Sequence, residues 1–203
     1  EDIYYIIGSD QFNSEWTGAT VRGTKQENIM PYQEGFTAIC QYELSMIGLL
    51  QAHCNKLHIC YVSGNHDEFV GWHLIMWLKA FFRDNQKVEF DTSYRYRKYI
   101  KYGNTAMMFN HGDAIKPPKL SNIFPIEFKD KWSECENYYI FTGDKHHELT
   151  LDFNGIKFFQ LPALSNSKSS WDDKQGHTCT KAELTAFLIE KDAGMTMILK
   201  QPL

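Results

Sequence analysis

Four short apolar runs punctuate the chain, and each stops at residues able to turn the backbone. Ile3-Tyr4-Tyr5-Ile6-Ile7 leads into Gly8-Ser9-Asp10, and Ile59-Cys60-Tyr61-Val62 into Ser63-Gly64-Asn65-His66-Asp67-Glu68. Ala106-Met107-Met108-Phe109 leads into Asn110-His111-Gly112-Asp113, and Tyr138-Tyr139-Ile140-Phe141-Thr142 into Gly143-Asp144-Lys145-His146-His147-Glu148. Runs of that length and composition predict buried strands. If the four share one sheet and one direction, their polar ends gather along the carboxyl edge, where open α/β sheets bind ligands. Gly64 is expected to supply a sharp turn through positive φ. Gly-Asp and Gly-Asn are also ordinary turn formers, but four such ends in order, two of them rich in His, point to chemistry.

Between these runs the period changes. Phe36, Ile39, Cys40, Leu44, Ile47, Leu50 and Cys54 recur at three- and four-residue spacing, which predicts an amphipathic helix over 33–54. The run 72–82, Trp72 to Phe82, is apolar nearly all round, as in a helix buried between layers or against a partner, and its aromatics read as core. Residues 87–90 and 94–102 alternate and predict strands; the second mixes Tyr with Arg95, Arg97, Lys98 and Lys101, a pattern shared by half-buried strands and by single-strand nucleic-acid faces. The Pro-containing stretch from Lys116 predicts a loop and a short helix near Trp132. Asn154-Gly155 between alternating runs predicts a hairpin, and Asp192-Ala193-Gly194 a second one. Residues 11–32 and 162–181, the latter with His177, are polar and loop-like; a loop as long as 11–32 lines a site, covers one, or is a plain surface excursion.

Composition narrows the picture little further. With 203 residues and 43% apolar content, one domain over 1–203 can bury a substantial core. A net charge of −4 argues against a broad basic nucleic-acid surface. No run reaches the length of a membrane span, and no signal peptide opens the chain as it stands. Five scattered cysteines without a Cys-x-x-Cys suit reduced thiols and a cytoplasmic location.

The strand-end clusters mix carboxylate, amide and imidazole, donors suited to divalent cations and to proton delivery beside them. Gly64-Asn65-His66-Asp67 resembles the Gly-Asn-His-Asp/Glu signature of calcineurin-like metallophosphoesterases. That family's blocks run Asp-x-His, Gly-Asp, Gly-Asn-His-Asp/Glu, a lone His, then Gly-His-x-His. Gly8-Ser9-Asp10 resembles the second block with one residue inserted, His111 the lone His, and Gly143-Asp144-Lys145-His146 the last, with Asp144 in place of its first His. The stretch after Asp10 resembles a phage-associated branch. The first block is absent, since the chain opens on Glu1-Asp2-Ile3, and a chain truncated at its N-terminus, or processed, is expected.

The resemblance implies an αββα sandwich, two mixed sheets flanked by helices. It implies two divalent ions (Mn first; Fe, Zn or Ni as alternatives) about 3.5–4 Å apart, clamping a phosphoryl group. Asp10 would bridge them, Asn65, His111 and Asp144 would complete one ion, and His146 would serve the other, left incomplete without Asp-x-His. His66 would act on the leaving group, with Asp67 orienting its ring. The first expectation is therefore a phosphoesterase acting on phosphodiesters, DNA or nucleotides among them, with activity in doubt for want of Asp-x-His. The alternative is a degenerate, non-catalytic binding scaffold. A third reading has the loops holding a single ion only to stiffen the strand ends.

Overall fold

The computed structural model describes residues 1–165 and 181–203; most of the loop expected over 162–181, His177 included, lies outside them. The chain divides into two compact units, Glu1–Tyr96 and Arg97–Leu203.

The first unit is a β-α-β-α-β run: β1 (Asp2–Gly8), α1 (Tyr32–Ala52), β2 (Lys56–Val62), α2 (Glu68–Phe81) and β3 (Val88–Asp91). All pairings are parallel, in the order β1-β2-β3. Two right-handed crossovers advancing in one direction put both helices on the same sheet face. The side-chain period of two then decides what they cover: Leu57, Ile59 and Tyr61 alternate along β2 into one core with Ile47 of α1 and Val70, Leu74, Ile75 and Leu78 of α2. The stripe expected on α1 is present, with one addition: Glu43 is fully buried within it. On α2 the expectation is half met. Its inner face is core, but Phe69, Trp77 and Phe81 are exposed, because one sheet face can bury only one side of a helix.

The second unit holds β4 (Arg97–Tyr102), β5 (Thr105–Asn110), α3 (Pro117–Glu127), α4 (Lys129–Trp132), β6 (Asn137–Thr142), β7 (Leu149–Phe153), β8 (Ile156–Gln160), β9 (Glu183–Glu190) and β10 (Gly194–Pro202). Its five-stranded sheet has the order β4-β5-β6-β8-β7 and is mixed: β5, β6 and β8 run parallel, with β4 and β7 antiparallel at the edges. Alternate residues sort to two faces. Ala106, Met108, Ile140 and Phe158 meet Leu120, Phe124 and Phe128 of the α3 region, while Met107, Tyr139, Phe141 and Phe159 meet Phe187, Ile189 and Met195 of the β9–β10 hairpin. The hairpin at Asn154-Gly155 is as expected, both residues taking positive φ.

One condition is not met and two expectations are corrected. The four polar-ended strands do not share one sheet: β1 and β2 lie in one, β5 and β6 in another. Apolar runs reveal strands but not which of them pair. The Pro-containing stretch is mostly helix, α3 starting on Pro117-Pro118, since proline suits a first helical turn whose N–H groups lack partners anyway. The strand over 94–102 begins only at Arg97, leaving Tyr94 and Tyr96 exposed before it. Three of its four cations are not displayed as a nucleic-acid face: Arg97 forks onto Glu127 at 2.7 and 3.0 Å, Lys101 meets Glu134 at 2.7 Å, and Lys98 is buried, while Arg95 is exposed.

Candidate functional site

In the first unit β1 and β2 are neighbours in register, Gly8 beside Val62, so the loops after them leave the same edge. Gly8, Ser9 and Asp10 all adopt positive φ (102°, 60° and 68°). For L residues this costs on the order of 1–2 kcal/mol each. The compensation is local: Ser9 N–H donates to the Val62 carbonyl at 2.8 Å, and Asp10 Oδ1 accepts the His66 N–H at 2.8 Å. Gly64 is required for a different reason than expected. Its φ is not positive, but a Cβ there would lie 2.0 Å from Asp10 Oδ1 and 2.4 Å from Asp10 N. The glycine admits the Asp10 loop against the Gly-Asn-His-Asp turn.

The remaining residues of that block hold backbone. Asp67, fully buried, accepts the Phe12 N–H on Oδ2 at 3.2 Å. His66 Nδ1–H donates to the Asn13 carbonyl at 2.8 Å, so its ring is oriented by a main-chain group. The Asn65 carbonyl accepts the Val21 N–H at 3.1 Å. The long loop over 11–32 is thus tied to this block, and it supplies a residue that sequence reasoning missed. Glu15, buried, accepts the N–H groups of Phe69 and Val70 at 2.7 and 3.0 Å. Its carboxylate caps the first turn of α2, where unpaired N–H groups and the helix dipole favour an anion. Behind the loop, Glu43 accepts from Tyr5 Oη at 3.0 Å and from the Gln11 amide. Burial raises the Glu43 carboxyl above its ordinary range, against the opposing pull of those two donors. A carboxylate inside the apolar stripe of a helix was the signal available for it.

In the second unit β5 and β6 are parallel neighbours, Phe109 beside Phe141. The His111 carbonyl accepts the Gly143 N–H at 2.8 Å, joining the two strand-end loops. His111 is buried, with Nε2 3.5 Å from Asp144 Oδ1; Lys145 Nζ lies 2.5 Å from Asp144 Oδ2. Burial works to raise the Asp144 carboxyl, but His111 and Lys145 outweigh it and hold it at about 2. Asp144 and His146 again adopt positive φ, 64° and 58°. Among the described non-glycine residues, Ser9, Asp10, Asp144, His146 and Asn154 do so, and all but the hairpin residue Asn154 belong to the candidate blocks. Backbone strain collected in this way marks loops held for a purpose.

Among the described residues the His, Cys, Asp and Glu donors suited to a metal ion are Asp10 in the first unit and His111 with Asp144 in the second; His146 is not among them. Carboxylate and imidazole are donors that Mn, Fe or Zn accept, but three such donors in all do not make two metal sites. The expected phosphodiester hydrolysis through a dinuclear centre is therefore overturned, and the hydrolase, phosphodiesterase and nuclease readings fall with it. The anticipated incompleteness of the metal centre holds.

This chain's own layout is an α/β fold with polar blocks at the carboxyl ends of β1, β2, β5 and β6. Their order resembles that of calcineurin-like metallophosphoesterases, less the Asp-x-His block. No protein-family model matches the chain, and no curated protein does. Among solved structures it is similar to wild-type Vps29 complexed with zinc from Entamoeba histolytica, at 10% identity over 98% of this chain and 97% of that one, with a TM-score of 0.46. It is similar to Vacuolar Protein Sorting 29 from Cryptosporidium parvum, at 12% identity over 100% and 97%, with a TM-score of 0.40. A predicted phosphoesterase from Streptococcus pneumoniae gives 9% identity over 98% and 97%, with a TM-score of 0.39. Likenesses this low assign no function.

Proposed function

We propose that this chain is a non-catalytic binding scaffold built on a metallophosphoesterase-type fold, its strand-end loops stiffened by their own contacts and by at most one divalent ion. The observation that carries this reading is the donor count: among the described residues, Asp10 in the first unit, His111 with Asp144 in the second, and no further set. In this reading an ion, Mn being the first choice, is held by donors of this group and supplies only positive charge. His146 follows Asp144 on the loop after β6, and Asn65 stands on the loop after β2, whose His66 N–H donates to Asp10. His66 and Asp67 keep the turn in shape through Asn13 and Phe12 rather than serving as acid and orienter. The partner class is protein rather than nucleic acid, since Arg97 and Lys101 are spent on glutamates. A cytoplasmic setting is supported by the buried thiols Cys40, Cys54, Cys60 and Cys135. No described helix is long and apolar enough to cross a membrane.

Calorimetric titration with Mn, joined to assays on a phosphomonoester, a phosphodiester and a DNA oligonucleotide, tests the reading. One ion or none per chain is expected, with release no faster than in His66→Ala. Two bound ions with turnover abolished by His66→Ala would sink it.

A further inference from the structure

The two-residue loop between β7 and β8 carries chemistry that the candidate site does not use. Phe153 and Ile156 are register partners, so Asn154 and Gly155 alone make the turn. Their φ values of 52° and 89° suit a type I′ turn, in which both central positions are left-handed. Both residues are exposed, and a Cβ placed on Gly155 would meet nothing within 4 Å. The space beside Gly155 is thus open, and attack from its nitrogen on Asn154 Cγ closes a five-membered ring.

One contact restrains that nitrogen. Gly155 N–H donates to Asp152 Oδ1 at 3.0 Å, and Asp152 is exposed. The nitrogen becomes nucleophilic only as it loses its proton, and a carboxylate beside it disfavours a second negative charge. Lys157 stands opposite Asp152 in the register and tempers that repulsion. In a water-like dielectric the remainder is worth about threefold in rate.

We propose that Asn154 is a site of spontaneous deamidation and that Asp152 slows it. The inference rests on this hairpin alone and stands whether or not an ion binds elsewhere. The Gly155 nitrogen gives up its proton and bonds to Asn154 Cγ; the Cγ–Nδ2 bond breaks, and Nδ2 leaves as ammonia with that proton. Water then opens the cyclic imide. Cleavage of the new N–Cγ bond gives aspartate, and cleavage of the original N–C bond gives isoaspartate. One water is consumed, one ammonia is released, and nothing is oxidised or reduced. Either product adds a carboxylate beside Asp152, and isoaspartate also lengthens the main chain by a methylene within a two-residue turn. β7 is the outermost strand and pairs with β8, whereas β8 pairs with β6 as well. Loosening is therefore expected along β7.

The test holds the full chain in mildly alkaline buffer and samples it over days, by peptide mapping and by isoaspartate-specific enzymatic methylation. Conversion at Asn154 is expected in the unaltered chain, and about threefold faster conversion in Asp152→Asn. That variant keeps an acceptor oxygen for Gly155 and loses only the charge, so a merely loosened turn does not account for a faster rate. Added salt should raise the rate of the unaltered chain and leave that of the variant unchanged. Asn154→Gln should remove the methylation signal, with circular dichroism confirming its fold. In converted protein, amide exchange should quicken along β7 and not along β8. Asn154 intact in both proteins after prolonged incubation overturns the proposal. Equal rates in the unaltered chain and Asp152→Asn overturn the role of Asp152, and a methylation signal that survives Asn154→Gln places the reaction at another residue.

Discussion

The loops after β1 and β2 and the loops after β5 and β6 leave parallel neighbouring strands in the same way, but their carboxylates meet different partners. In the first unit Asp10, Asp67 and Glu15 accept main-chain N–H groups of His66, Phe12, Phe69 and Val70. In the second, Asp144 is held by an imidazole and an ammonium. Acids that accept from backbone lock loop shape. An acid neutralised by side chains of its own unit lowers the local demand for an external cation. Both arrangements suit loops kept for their shape.

The difference can be broken most severely at Gly64. Alanine there would drive its Cβ to 2.0 Å from Asp10 Oδ1 and 2.4 Å from a main-chain nitrogen that cannot yield. We expect Gly64→Ala to destabilise the protein by about 3 kcal/mol, the upper range for overpacking. Gly112 is the matching site of the second unit: an added Cβ meets the Thr142 side chain at 3.2 Å and the Gly143 carbonyl oxygen at 3.3 Å, both looser than the contacts at Gly64, although its φ of +110° adds strain. Gly112→Ala should therefore cost less. Urea unfolding of the two variants side by side checks the order, and equal losses would show that close approach is not what distinguishes Gly64.

A smaller effect separates the two regions by pH. Glu43 supports the Asp10 loop through Gln11, and burial raises its carboxyl above the ordinary value of 4.5. A raised folded-state value means the folded protein holds this proton more tightly than the unfolded chain. Its contribution to stability is therefore complete below about 4.5 and is lost as pH rises through the folded-state value. Glu43→Gln keeps the shape and removes the titration, so stability between pH 4.5 and neutrality should fall less steeply in the variant. A shift of one pH unit corresponds to about 1.4 kcal/mol, which sets the scale of the change. Identical stability profiles for the two proteins would show that Glu43 does not titrate in this window.

Much of this was legible from residue order. Alternation and three-to-four spacing located β1, α1, β2 and both hairpins, and the polar ends of β1, β2, β5 and β6 named Asp10, Asn65, His66, Asp67, His111, Asp144 and His146 before any geometry was known. What pattern could not show was pairing and proximity. Strand assignment to two sheets depends on contacts between distant segments. Gly64 looked like a turn glycine because composition reports flexibility, whereas the structure uses its lack of a Cβ. Glu15 lies in a polar loop with nothing local to mark it as the cap of a helix over fifty residues on. Lys145 was visible as the middle residue of Asp-Lys-His, but its partner was not, because two charges adjacent in sequence need a particular backbone conformation, here positive φ at Asp144, to meet.

Lys145 therefore offers the finest test of the comparison. Its ammonium sits on Asp144 and is half exposed, with 50% of its side chain accessible to solvent, so its contribution to stability is small after solvent screening. Its effect on a cation should be larger than its effect on folding, because an ion approaching Asp144 must displace or tolerate the ammonium. At about 4 Å in a water-like dielectric two unit charges interact by about 1 kcal/mol, and by more where solvent is partly excluded. Lys145→Met should accordingly tighten Mn binding about fivefold, measured by calorimetry at low ionic strength, with little change in unfolding free energy. Added salt should shrink the difference between variant and parent, since screening weakens the repulsion that is removed. If Lys145→Met leaves Mn affinity unchanged at every salt concentration, the ammonium does not compete for Asp144. The contrast between a first unit satisfied by backbone and a second satisfied by side-chain charge would then lose its functional meaning.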